Sequence, residues 1–345
     1  MKVPVENVFH MASYALDAVQ WLGVGNHSHT PEAPAVADAL VLLLLNEVDL
    51  LVRRGLERGY VEEEAVLRSP RGKILVTPTI ARLLHKRPEL HCRFEELTID
   101  IPVNRLIAGV LWRTATDHEV DAKLRQRAAR MADTLEGVTP LDLEPARFRR
   151  PELGRKNRHY RPVLDLCELL VRAWFPDEDD ADEEWQVRGI DRQDRLMAHL
   201  FERFVCSYLA RQPGLRVRPR QLAWEGGGLD APSQAALPAM RTDATVVGDG
   251  WTAVVEVKFY RDPLVERYGK KTLRSGHLYQ LLAYLRRHAA ERPLDWPTRG
   301  VLVYAHAGTS FDFRYQLDGY DIRAVTVDLT APWAVLTGAV LDALA

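Results

Sequence analysis

Met240-Arg241-Thr242-Asp243-Ala244-Thr245-Val246-Val247-Gly248-Asp249-Gly250-Trp251-Thr252-Ala253-Val254-Val255-Glu256-Val257-Lys258-Phe259-Tyr260 is the stretch whose reading decides the fold of the second half of this chain. Gly248-Asp249-Gly250 is a tight-turn signal between two strand-like runs, 241–247 and 251–260. The second run is apolar except for Glu256 and Lys258. Strand alternation puts residues i and i+2 on one face, so these two point together, and the turn returns Asp243 beside them. Two carboxylates and an ammonium on a buried strand pair are costly unless something compensates them. A divalent cation does so, and hard oxygen donors suit Mg²⁺, with Mn²⁺ as a substitute. Hydrolysis of a phosphodiester needs such a set: a metal to polarise phosphate and acidify water, and a lysine to offset developing negative charge. A plain salt-bridged strand pair with Lys258 reaching solvent fits the same residues.

Around the hairpin, the pattern alternates. A helix is expected over 191–211, a strand over 215–222, a helix over 272–289, strands over 300–305, 312–316 and 322–327, and a helix over 332–344. That order predicts an α/β fold with a mixed sheet flanked by helices. Gln280 and Tyr284 are four apart on one helix face, which would lean over the hairpin. Glu202, on the helix before the sheet, is a third carboxylate for the metal or else a solvated glutamate. Arg261, Lys270, Lys271 and Arg274 lead out of the catalytic strand and are read as phosphate contacts on DNA.

The first half has another rhythm. Helices are expected over 8–22 and 35–54, the second stopping at Gly55. Two strands, 59–68 and 73–77, joined by Ser69-Pro70-Arg71-Gly72, an extended stretch over 91–101, and helices over 103–116, 120–135 and 162–174 follow. Seven basic residues crowd 147–161, and the acidic run 177–184 reads as an exposed linker. The domain boundary is placed there, giving an N-terminal domain over 1–180 with a β-element at about 59–101, and a C-terminal domain over 185–345. A length of 345 residues accommodates two cores, and a hydrophobic fraction of 47% excludes wholesale disorder. With a formal net charge of −2, attraction to nucleic acid must come from local clusters. Three scattered cysteines form no disulfide framework or metal motif. They are read as buried thiols in a reducing cytoplasm, and residues 1–6 have no signal-peptide pattern. The most apolar run, 39–45, is bracketed by charge and is read as a core helix.

In order along the chain, Asp243, Glu256-Val257-Lys258 and Gln280-xxx-Tyr284 resemble the PD-(D/E)xK nuclease superfamily. The chain is similar over nearly its whole length to McrC, the nuclease subunit of McrBC modification-dependent restriction systems. The resemblance is carried by Pro4 to Tyr14, Arg53-Arg54-Gly55-Leu56, Arg71-Gly72-Lys73-Ile74, Asn157-Arg158-His159-Tyr160, Met240-Arg241-Thr242-Asp243, His277-Leu278-Tyr279-Gln280-Leu281 and Gly319-Tyr320-Asp321-Ile322. Glu256 stands where the family commonly has aspartate, and Thr242 stands where the motif name has proline. The resemblance implies catalysis by Asp243, Glu256, Lys258 and Gln280, and a metal held by Asp243, Glu256 and Glu202. It implies a hexameric AAA+ GTPase partner of the McrB type, which binds GTP and recognises double-stranded DNA carrying modified cytosine. The β-element, with Arg53, Arg54, Arg71 and Lys73, is the candidate partner-binding part. The chain lacks Gly-x4-Gly-Lys-[Ser/Thr]; Gly269-Lys270-Lys271-Thr272 only approximates its end. A stand-alone repair nuclease and a non-catalytic GTPase-regulating adaptor are the other readings.

Overall fold

A computed structural model describes residues 3–16, 35–82, 84–143, 151–175, 192–224, 230–260, 262–267, 269–290, 296–306 and 310–345. The acidic run, and with it the expected boundary at 180–185, lies outside these residues, as do Arg147, Arg149, Arg150 and Arg261. By contact the chain groups into two compact units, Val41–Val171 and a discontinuous one made of Met1–Leu40 with Arg172–Ala345.

The discontinuous unit is built on a six-stranded mixed sheet in the order β10-β11-β9-β6-β5-β4. Its strands are β4 (Arg216–Leu222), β5 (Met240–Val247), β6 (Thr252–Phe259), β9 (Thr298–His306), β10 (Asp312–Leu317) and β11 (Tyr320–Asp328). β4, β5 and β6 are antiparallel neighbours, β6, β9 and β11 run parallel, and β10 closes one edge antiparallel to β11. β6 is therefore central and flanked on both sides by strands, which explains why nearly every residue of it is buried. Gly250, at φ +71, supplies the left-handed residue that the turn between β5 and β6 requires, and a side chain on Gly248 would collide with Trp251.

Helix α9 (Ser275–Ala290) packs on β6 and β9. The approach is close: a Cβ on Gly300 would lie 2.8 Å from side-chain carbons of Leu281 and Leu285. Leu281, Tyr284 and Leu285 share a buried cluster with Val254, Leu302, Tyr304 and Phe311. Helix α7 (Arg192–Ala210) packs on β4, β5 and β6, and α1 (Val5–Ala15) lies along it. Asn7 Nδ2 donates to the carbonyls of Leu329 and Ala331, and Tyr14 joins an aromatic cluster with Phe204, Tyr208 and Trp333. No sequence signal marks α1 as part of this unit. Two elements were not anticipated: the short helix α8 (Ala231–Ala235) and the hairpin of β7 (Val265–Arg267) with β8 (Lys270–Thr272). That hairpin takes Thr272, which had been expected to open the following helix.

The other unit holds most of α2 (Val36–Arg54) and α6 (Arg161–Trp174), with α3 (Val76–Ala81), α4 (Pro102–Thr116), α5 (Ala122–Asp133) and a three-stranded sheet. The sheet order is β1-β3-β2, from β1 (Gly59–Leu67), β2 (Lys73–Ile74) and β3 (Leu90–Thr98). The strands expected over 59–68 and 73–77 are present, the second of them shorter. Both strands pair with β3 instead of with each other, and β2 ends at Ile74 because α3 starts at Val76. Pro78 lies in the first turn of α3, where its missing N–H costs nothing. Tyr160 explains part of the Asn157–Tyr160 motif in structural terms. Fully buried, its hydroxyl accepts the Glu57 N–H at 2.8 Å and donates to Asn104 Oδ1 at 3.0 Å, tying the start of α6 to the segment between α2 and β1. Tyr160→Phe leaves the half-buried Glu57 amide and the buried Asn104 Oδ1 without this partner. A loss of about 1–3 kcal/mol is expected in urea unfolding; an unchanged midpoint would contradict it.

Candidate active site

The backbone ladder of β5 and β6 runs from Val247 opposite Thr252 to Ala244 opposite Val255, and stops there. One further step of that register sets Asp243 against Glu256, and at this point side chains replace the ladder. Asp243 Oδ2 accepts the N–H of Val257 at 2.7 Å, and Glu256 Oε1 accepts the N–H of Asp243 at 3.3 Å. Each carboxylate is thus fastened by backbone at the point where the two strands part. Charge-assisted bonds of this kind hold an oxygen donor in place without relying on a mobile side chain. On its other side β6 stays in register with β9, Glu256 opposite Leu302 and Lys258 opposite Tyr304, so the site stands on a fixed strand.

Lys258 Nζ lies 3.7 Å from Glu256 Oε2 and donates to Gln280 Oε1 at 2.9 Å. Gln280 Nε2 in turn donates to the Tyr284 hydroxyl at 3.1 Å. The ammonium is therefore aimed between the carboxylate and the helix and does not reach out to solvent: the Lys258 side chain is 13% exposed and that of Glu256 1%. This excludes the plain strand pair with a solvated lysine.

The electrostatics of the site are dominated by negative charge. Burial pushes the Glu256 carboxyl well above the usual range, and Asp243 and Glu202 push the same way, against the opposing pull of Lys258 and the Asp243 amide. Cys206, on α7, donates Sγ–H to the Asp243 carbonyl at 3.4 Å. Its thiol is raised by burial first and then by Glu202, Asp243 and Glu256. The Tyr284 hydroxyl is raised chiefly by burial. Asp243 and Glu202 both weigh against the charge of Glu256, with Lys258 opposing them, and such a place favours an added cation.

The donor set suits a hard divalent ion. Among the described residues no group of three or more His, Cys, Asp or Glu side chains is assembled to hold a metal. Asp243 and Glu256 are two carboxylates in contact through backbone, and Mg²⁺ commonly takes one or two carboxylates and completes its shell with water and substrate phosphate. Glu202 acts on Glu256 as a nearby charge and does not complete a three-ligand cage.

The remaining sequence candidates are spread more widely. Lys270 and Lys271 are exposed on the β7–β8 hairpin. Arg274 is not a surface contact: 8% exposed, its guanidinium lies 4.4 Å over the Tyr260 ring and donates to the Asp262 carbonyl. With Lys271 and residues 262–266 it lines a cavity of about 390 Å³. In the other unit Arg53 is paired with Asp49 in its own helix, Arg54 and Lys73 are exposed, and Arg71 pairs with Glu96 while covering the Phe94 ring at 4.2 Å. The backbone amides that position the carboxylates, and Cys206 behind Asp243, leave no mark in a sequence.

Comparison with known proteins identifies the family. A model of the family described as McrBC 5-methylcytosine restriction system component matches residues 8–305. The chain is 26% identical over 341 residues to the type IV methyl-directed restriction enzyme EcoKMcrBC of Escherichia coli (strain K12), covering 99% of this chain and 97% of the relative. Two solved structures from Thermococcus gammatolerans are similar at 19% identity. One is an assembly of McrB AAA+ hexamers with bound McrC, with TM-score 0.47 and 98% of this chain and 75% of that one covered. The other is a McrBC complex, with TM-score 0.41 and 61% and 60% covered. Because the family match spans most of the chain, this protein belongs to the McrBC 5-methylcytosine restriction system component family.

Proposed function

We propose that this chain is the DNA-cutting subunit of its restriction system, a Mg²⁺-dependent endonuclease of the PD-(D/E)xK type. It acts with a hexameric AAA+ GTPase of the McrB type, whose GTP hydrolysis it stimulates, and makes double-strand breaks in DNA carrying modified cytosine. The observation that carries the reading is the parting of β5 from β6 at Asp243 and Glu256, with Lys258 held beside them.

Asp243 and Glu256 would hold the cation, which when bound offsets phosphate charge and acidifies a water. The chain's own residues do the rest. The amides of Asp243 and Val257 keep the two carboxylates preset, so little reorganisation accompanies the reaction. Gln280 holds the Lys258 ammonium beside the phosphate, where negative charge grows in the transition state. Exclusion of water around Glu256 strengthens each of these interactions. Lys270 and Lys271 are placed on an exposed hairpin reached a few residues after β6, and would grip the DNA backbone.

Dependence on a GTPase is supported by the family, a component of a larger system, and by the missing P-loop. Gly269 precedes β8, which Lys270 opens in a β-hairpin, whereas a phosphate-binding loop joins a strand to a helix. The surface of the three-stranded sheet and the end of α2, with Arg53, Arg54, Arg71 and Lys73, is the part assigned to the partner. The test is cleavage of a methylated duplex by the purified chain, with and without the GTPase, GTP and Mg²⁺. Cutting is expected only when all are present. Rapid cutting by the isolated chain would remove the partner from the reading, and undiminished cutting in EDTA would remove the metal.

A further inference from the structure

We infer that His277 is a positioning residue for Lys258, acting through Gln280; the inference rests on the proposed nuclease reading. His277 opens the face of α9 that also carries Gln280, Leu281 and Tyr284, at spacings that stack on one side of a helix. It is 4% exposed. Its Nδ1 is 2.8 Å from the Tyr304 hydroxyl and its Nε2 is 3.2 Å from the Tyr260 hydroxyl.

These two tyrosines are not arbitrary neighbours. Tyr304 is the residue of β9 directly paired with Lys258, and Tyr260 is the residue just past the end of β6, two after Lys258. One imidazole therefore joins the first turn of α9 to β9 opposite Lys258 and to the chain leaving the end of β6. Each hydroxyl can donate or accept, so both ring nitrogens are satisfied with a single ring proton. The ring is also packed between the two phenols, with centroids 5.2 Å from Tyr260 and 5.7 Å from Tyr304. Arg274 lies over the Tyr260 ring, and its carbonyl accepts the His277 N–H.

Gln280 sits one turn beyond this anchor. Its 2.9 Å bond to Lys258 holds only while the helix keeps its height and rotation over β6 and β9. Gly300 lets α9 come close but does not fix its angle; directional hydrogen bonds from His277 do. The contacts of His277 with Tyr304 and Tyr260 give it a route to the reaction through the placement of Gln280.

The test uses the full chain with its GTPase, GTP, Mg²⁺ and methylated duplex, and compares His277→Phe, Gln280→Leu and the double variant in single turnover. Asp243→Ala serves as a control: if it still cuts, the nuclease reading fails and the His277 variants are not needed to decide it. With the control inactive, His277→Phe is expected to cut about 10–100-fold more slowly, the range seen for residues that orient catalytic groups. DNA affinity measured in Ca²⁺ is expected to stay within about twofold, and the double variant to be no slower than Gln280→Leu, since both substitutions break one arrangement. Losses that multiply in the double variant, or a His277→Phe rate within about twofold of wild type, would overturn the inference. If His277→Phe does not fold, Tyr304→Phe, which removes one hydroxyl, is judged by the same two criteria.

Discussion

Glu256→Gln is expected to cut DNA about 10³-fold more slowly, as for loss of one preset transition-state contact, and to be more stable than wild type in metal-free buffer at pH 8. The two effects share a cause. Burial and the charges of Asp243 and Glu202 make an ionised Glu256 expensive, so its carboxyl holds its proton well above the usual range. The unfolded chain releases that proton in the ordinary glutamate range, at about pH 4.3. Between that pH and the raised folded value the native state binds more protons than the unfolded state, so stability falls as pH rises. Glutamine keeps the shape, can still accept the Asp243 N–H, and has no proton to lose. Thermal melts in EDTA at pH 5 and pH 8 would check this: wild type is expected to lose more between the two than the variant. Added Mg²⁺ is expected to raise the wild-type midpoint and leave that of the variant in place, because a ligand stabilises only the state that binds it. A variant that melts below wild type at pH 8 without metal would contradict the account of the site.

Lys258→Met is expected to lower the cleavage rate by about 10²–10³-fold, the scale of one electrostatic contact made in the transition state. The Mg²⁺ concentration for half-maximal activity is expected not to rise, since removing a cation 3.7 Å from Glu256 leaves the carboxylates more attractive to metal. Lys258→Arg is expected to restore little. The Lys258 Nζ is a single point reaching both Glu256 and Gln280 in a space that is 13% exposed, and a planar guanidinium fork does not fit that role. Titration of activity against Mg²⁺ separates the cases: recovery of Lys258→Met at high metal would contradict a direct role in the reaction.

Much of this site was legible in the hairpin sequence. An apolar strand interrupted only at Glu256 and Lys258 has a period of two, and the Gly248-Asp249-Gly250 turn fixes which residue returns to face them. That logic puts Asp243 beside Glu256, and the Asp243 N–H does meet Glu256 Oε1. Gln280 was legible for a similar reason: it is the polar residue on a leucine-rich helix face. The way the carboxylates are held was not legible, because it depends on backbone amides freed where the ladder ends, and every residue type offers the same amide. Arg274 misled because position in sequence says nothing of depth. Its neighbours on the hairpin are exposed, while its own side chain turns inward over Tyr260. The first unit shows the limit of local pattern more clearly. Ser69-Pro70-Arg71-Gly72 has hairpin composition, yet β3, drawn from further along, comes between the strands it joins. Long-range pairing is decided by the whole sheet, and a turn motif carries no record of it.

The central claim is that the cut is made at Asp243, Glu256 and Lys258 while nucleotide hydrolysis belongs to a partner. Asp243→Ala tests it most directly, in the complex of the full chain with its GTPase, with DNA cleavage and GTP hydrolysis measured in the same reaction. The account predicts that cleavage falls by at least about 10³-fold while stimulated GTP hydrolysis stays at the wild-type rate. Cleavage that persists with Asp243 replaced would contradict it.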